Sequence, residues 1–165
     1  VFAVFGAPLP QDDCAERAVG CAADFVALQH DLGDELESRN LPRIAYGIGV
    51  HSGVVVAAHF GSAARRQYTV IGDPVNVGAR LCSHAEAGQA VVSEHVMNAL
   101  AEPPPAIPLG GLALKGIDQR VFCYALDEQL VGSTDTAISV VPAPMARPMP
   151  RTDQTVQQHQ GLREP

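Results

Sequence analysis

The stretch Gln67 to Leu81, QYTVIGDPVNVGARL, constrains this chain more than any other. Tyr68, Val70 and Ile71 are strand formers on a short alternating run. Gly72 then offers backbone angles that other residues resist. Asp73 suits an N-cap, and Pro74 suits the first helical position, where no N–H is needed. The reading is strand, sharp turn, helix. On that helix Asn76 and Arg80 stand four apart, and so on one face. A neutral amide and a permanent cation near a helix start suit an anionic ligand such as a phosphate. The competing reading is a solvated helix face carrying a surface arginine.

Around this unit the chain reads as alternating elements. Val1 to Phe5 (VFAVF) predicts a strand, followed by the loop Gly6 to Gln11 with Pro8 and Pro10. Asp13 and Glu16 have capping-box spacing, and Ala15, Ala18, Val19, Ala22, Val26 and Leu36 keep helical periodicity. That helix should end near Asn40, ahead of Pro42. Ile44 to His51 predicts a strand with Ile44, Tyr46, Ile48 and Val50 on one face and small residues on the other. Ser52-Gly53 reads as a tight turn and Val54 to Phe60 as the returning strand of a hairpin. Gly47-Ile48-Gly49 lacks the third glycine and following helix of a dinucleotide fingerprint. Gly61 to Arg66 reads as a loop, where Arg65 and Arg66 could reach a phosphate or simply be solvated. Gln89 to Ser93 predicts a strand, Glu94 to Ala101 a short helix, and Glu102 to Pro108 a Pro-rich break. Leu109 to Lys115 and Arg120 to Leu126 predict a closing hairpin. From residue 127 the chain is rich in Pro and polar residues without an apolar period, which predicts a disordered tail over 127–165. The order β-α-β-β-β-α-β-α-β-β makes residues 1–126 one layered α+β domain.

Composition narrows the partners. The 165 residues are 47% hydrophobic, enough for one core, and only 5% aromatic, so aliphatic packing must dominate. A net charge of −7 argues against a general nucleic-acid surface or an anionic membrane as partner. No long apolar run suggests a membrane span, and no signal peptide is visible. Cys14, Cys21, Cys82 and Cys123 form no CxxC pair. Cys14 and Cys21, two helical turns apart, would stand roughly 10 Å from each other, too far for a disulfide. They read as reduced packing residues of a cytoplasmic chain. The His residues are scattered and read as structural or exposed.

Taken together, VFAVFGAPLPQDD, YGIGVHSG, QYTVIGDPVNVGARL, and ALKG with VFCYAL resemble the catalytic domain of class III adenylate/guanylate cyclases, over Val1 to about Leu126. The resemblance implies a ferredoxin-like, βαββαβ-derived fold, truncated at its N-terminus. It implies head-to-tail pairing with a second cyclase domain, and active sites in the groove between the two. The implied reaction is attack of a ribose 3′ oxygen on the α-phosphate of a nucleoside triphosphate, with release of pyrophosphate. It implies two divalent ions, Mg2+ or Mn2+, held by two Asp residues. Residue by residue, Asn76 would orient the ribose and Arg80 would stabilise charge on the reacting phosphate. Thr69 falls at a purine-selecting position, where Thr suits adenine and hence ATP. Lys115 lies in the LKG segment whose Lys reaches the terminal phosphates.

Three family features have no counterpart here: the Asp of an upstream strand, the Asp of a Gly-Asp turn, and a purine-selecting Lys. Asp12, Asp13 and Asp73 do not replace them, because two begin a helix and the third caps one. The sequence therefore predicts no metal ligands in this chain. It predicts an adenylate cyclase domain in an intact parent, inactive as this piece, or alternatively a non-catalytic cyclase-like module that dimerises and regulates.

Overall fold

The computed structural model describes residues 1–62 and 65–126, with backbone alone at Ser62 and at 65–67. The first element is α1, Cys14–Ser38, which buries Ala15, Val19, Ala22, Ala23, Val26, Gln29 and Gly33 along one stripe. The capping box does not form. Asp13 stands at the N-cap without a side-chain cap bond; its carboxylate instead accepts from Arg17 Nε at 2.8 Å. Glu16 accepts from the Ala101 N–H at 3.3 Å, tying the helix start to a distant turn. The helix stops where the sequence places its end. Asn40 takes a left-handed φ of 55°. Its N–H donates to the Glu37 carbonyl and that of Leu41 to Leu36, a Schellman closure that satisfies two terminal carbonyls.

Eight further elements among the described residues make two sheets and two more helices. β1 is Ile48–Val50, β2 Val56–Ser62, β3 Arg65–Ile71, α2 Asp73–His84 and β4 Ala90–Ser93. After α3 (Glu94–Met97) come β5 (Ala106–Leu112) and β6 (Val121–Leu126). A four-stranded sheet has the order β1-β4-β6-β5, and β2 and β3 form a separate two-stranded ribbon. β1 runs parallel to β4; the other pairs are antiparallel. The alternation of each strand divides the core. Ile48, Val50, Val92, Tyr124 and Leu126 pack with α1 and α3 on one face. Val91, Cys123, Leu112 and Leu114 pack with Val77 and Leu81 of α2 on the other. The mixed α+β class is as the sequence predicts.

Several boundaries differ, each for a reason. Val1 to Phe5 is not a strand, and Val1, Phe2 and Val4 are exposed. A strand exists through its ladder to a neighbour, and none lies alongside this segment among the described residues. Of Ile44 to His51 only Ile48–Val50 joins a ladder. Tyr46 is taken by α1 instead: its N–H donates to Gln29 Oε1 at 2.8 Å and its hydroxyl to the Phe25 carbonyl at 2.9 Å. The expected hairpin between β1 and Val54–Phe60 is absent. β1 pairs with β4, which buries Val50 and half-buries Ile48, while β2 pairs with its immediate successor β3. That ladder continues to Ser62 opposite Arg65, so Arg65 and Arg66 open a strand rather than lie in a loop. The helix after β4 is a single turn, continued to Leu100 by isolated turns. Pro108 belongs to β5 and not to a break, with a register shift between Pro108 and Gly110; an outer strand tolerates the missing donor. The tail over 127–165 lies outside the described residues.

Candidate functional site

Gly72 precedes α2 with φ 150°, ψ 166°, a combination open essentially to glycine alone. A Cβ there would meet the Val54 carbonyl oxygen at 3.4 Å. Asp73 is thus the first residue of the helix, not its cap, and its side chain makes no capping bond. Pro74 is the second residue of the helix, one place later than the sequence predicts and still within the first turn. Val77 and Leu81, one turn apart, are buried at 7% and 0% exposure. They anchor one stripe of α2 and so fix which way the rest points. Asn76 and Arg80, each one residue earlier, are both exposed, and neither has a hydrogen bond or ion pair among the described residues. A guanidinium held open on a buried helix is free to meet an anion.

The other two residues singled out by the sequence come from either side of α2. Thr69 is half-buried in β3, opposite Ala58 and three residues before Gly72. Lys115 is exposed in a turn beyond the end of β5 and not within a strand. Its neighbour Leu114 is buried with Val77 and Leu81, which puts this turn on the α2 side of the sheet. No hydrogen bond joins the four side chains to one another. Asn76, Arg80 and Lys115 are presented on the surface of the chain, and Thr69 is half-buried. A cavity of about 240 Å³ lies elsewhere, lined by Gln29, His30, Arg43, Ile44 and their neighbours.

The divalent ions implied by the resemblance find no donor set here. Among the described residues no three His, Cys, Asp or Glu side chains come together to hold one. Asp12 and Asp13 are exposed ahead of α1, and Asp73 is exposed at the start of α2. The four cysteines are free. Burial, with Glu94 nearby, pushes the Cys123 thiol up to about 11, so it packs and does not react.

One arrangement escaped the sequence reading. His51 Nδ1 shares a 2.8 Å hydrogen bond with the hydroxyl of buried Ser93. Its ring centroid is 6.3 Å from that of His95. Desolvation first, and the like charge of His95 second, hold His51 below the ordinary histidine value. The pair sits where β1 and β4 end side by side, 42 residues apart in sequence, and no local pattern announces it.

The mixed α+β fold matches that of nucleotide cyclase catalytic domains. The comparisons with known proteins agree: residues 2–128 match the family described as "Adenylate and Guanylate cyclase catalytic domain", and the chain belongs to it. An uncharacterized Mycobacterium tuberculosis protein, Rv1318c, is 39% identical over 124 residues, 72% of this chain and 21% of that protein. The chain therefore spans about a fifth of such relatives. Among solved structures, the adenylyl cyclase CyaB from P. aeruginosa is similar with a TM-score of 0.68 at 25% identity, over 74% of this chain and 64% of that one. The guanylyl cyclase Cya2 gives 0.67 at 29%, over 73% and 61%.

Proposed function

We infer that this chain is part of an adenylate cyclase catalytic domain, converting ATP to cyclic AMP and pyrophosphate in its intact parent. The observation that carries the reading is the exposed, unpaired Asn76 and Arg80 on a helix whose other stripe is locked into the core. Presented on the surface of one chain, they suit a groove completed by a second, head-to-tail cyclase domain. In the reaction the ribose 3′ oxygen bonds to the α-phosphorus as the bond to the β-phosphate oxygen breaks. Asn76 orients the ribose. Arg80 meets the charge that grows on the α-phosphate oxygens, a task for a planar, always-charged multiple donor. Lys115 meets the terminal phosphates, and Thr69 hydrogen-bonds the adenine. This selects ATP over GTP, although the solved relatives include both adenylyl and guanylyl cyclases. Mg2+ or Mn2+ would supply further charge neutralisation from ligands outside this chain's described residues. Cyclic AMP made in the cytoplasm would serve as an intracellular signal; no helix among the described residues is long and apolar enough to cross a membrane.

The test mixes this chain with a cyclase domain that carries both metal aspartates but has lost its own helix Arg. Cyclic AMP formation should appear in the mixture and not in either component alone, with Mg or Mn. Turnover by this chain alone would show that its metal ligands have been misplaced. The absence of a donor cluster among the described residues favours a second reading, a non-catalytic module that dimerises and regulates. A mixture that associates but never turns over, with or without Arg80, would establish that reading instead.

A further inference from the structure

The side of β1 that faces α2 carries no side chains where the helix crosses it. A Cβ on Gly49 would collide with the backbone nitrogen of Cys82 and lie 2.5 Å from the Gly78 carbonyl oxygen. One on Gly47 would lie 2.6 Å from the Ala85 Cβ. One on Gly53, beyond the strand, would lie 2.5 Å from Cγ and 3.1 Å from Cβ of the Pro74 ring. Real Cβ atoms do not come this close. The helix thus rests on bare strand backbone at its middle, Gly78 to Cys82, with further close approaches at Pro74 and at Ala85 just past its end. The converse does not hold on the helix side: a Cβ on Gly78 would meet only the His51 Cβ, at 3.9 Å. The tight fit belongs to the strand.

We propose that Gly47, Gly49 and Gly53 are positioning residues that set the height of α2 over β1 and thereby aim Asn76 and Arg80 at the nucleotide. The proposal rests on the cyclase reading of α2 and names what holds that site in register. The contacts differ in kind. Gly49 meets the backbone of α2 at Gly78, Leu81 and Cys82, on both sides of Arg80, and Gly47 meets Ala85 and Glu86 just past the helix end; backbone cannot retreat without moving the helix. Gly53 is exposed and meets only a proline ring at the N-terminal turn, two residues before Asn76. An Ala at Gly53 should therefore fold, yet lift that first turn. Displacements of this size at a catalytic group cost up to about 100-fold in rate.

The experiment uses the mixed dimer described above. Gly53→Ala should lower turnover about 10- to 100-fold. Adding Pro74→Ala, which removes the ring the new methyl strikes, should bring turnover back to within about threefold of the parent chain. In a background that lacks both side chains, Asn76→Ala with Arg80→Ala, Gly53→Ala should cost nothing further, because the residues it acts through are gone. A merely structural role would cost the same in both backgrounds, and that outcome overturns the proposal, as does a loss that Pro74→Ala fails to relieve. Amide resonances of this chain alone give a reading independent of activity. Gly53→Ala should shift those from Asp73 to Arg80, and Pro74→Ala should return them; unmoved resonances overturn the proposal too. If Arg80→Ala itself leaves turnover unchanged, the cyclase reading of the site fails, and the seat is judged by the resonances.

Discussion

Arg80 shows most directly how burial of one residue frees another. Leu81 is fully buried, and Arg80, one step around the helix, is left in water with nothing to neutralise. Its removal should therefore separate function from stability. Arg80→Ala should lower cyclic AMP formation in the mixed dimer by about 100- to 1000-fold, the scale of losing a donor to developing negative charge. It should change unfolding free energy by no more than about 0.5 kcal/mol, as exposed substitutions do. Arg80→Lys should recover little, since an ammonium lacks the planar fork. Thr69→Ala should erode the preference for ATP, read as the ratio of kcat/KM for ATP and GTP. An unchanged ratio would remove Thr69 from purine selection. At His51 the sign follows from burial. The folded state holds this imidazole neutral below its ordinary pKa of 6.5, while the unfolded chain protonates there. The unfolded state binds more protons in that window, so the contribution of His51 is fully present above pH 6.5 and is lost as pH falls below it. His51→Gln should flatten the fall of Tm between about pH 6.5 and 5, measured by circular dichroism.

At the scale of elements, glycines with the same chemistry should respond in opposite ways. Gly20 in α1 has nothing within 4 Å of a built Cβ, and Gly78 in α2 only His51 at 3.9 Å. Gly20→Ala and Gly78→Ala should each stabilise the chain by about 0.5–1 kcal/mol, the ordinary helix preference for Ala over Gly. Gly49→Ala should prevent α2 from docking at all. Thermal melts of the three variants, ranked against the parent, check this; a tolerated Gly49→Ala would mean that the helix does not lie on the strand. The sequence showed that one face of β1 is made of small residues. It did not show why, because the reason is a helix contributed by residues 73–84. The QYTVIGDPVNVGARL unit was legible because its signals are local. Strand formers, a Gly that must leave ordinary backbone space and a Pro at the first turn all act within a few residues of one another. The pairing of β1 was not legible, since the choice between β2 and β4 is made by what each would bury.

For the whole molecule, the ribbon of β2 and β3 stands apart from the main sheet and exposes Val56, Phe60, Tyr68 and Ile71, with Val54 just before it. Val56, Phe60 and Ile71 share one face of the ribbon by register; apolar surface on a small domain invites cover, and in the proposed assembly a second cyclase domain supplies it. Sedimentation velocity should show the parent chain associating at high micromolar concentration, and Phe60→Glu with Ile71→Glu should weaken association at least about tenfold. A variant that associates as before would place the contact elsewhere.

What the amino-acid order determined by itself is everything carried by near neighbours. That includes the α+β class, the helix that starts after Asp13 and stops near Asn40, and the turn into α2; resemblance to a family added the four side chains proposed for the nucleotide. Only the tertiary structure decided which of those side chains face water, that Lys115 stands on a turn beyond its strand, that His51 leans on Ser93, and that α2 sits on bare strand backbone. The physical reason is range. Backbone preference and capping act over a few residues, whereas burial and close approach depend on which distant segments the fold brings together.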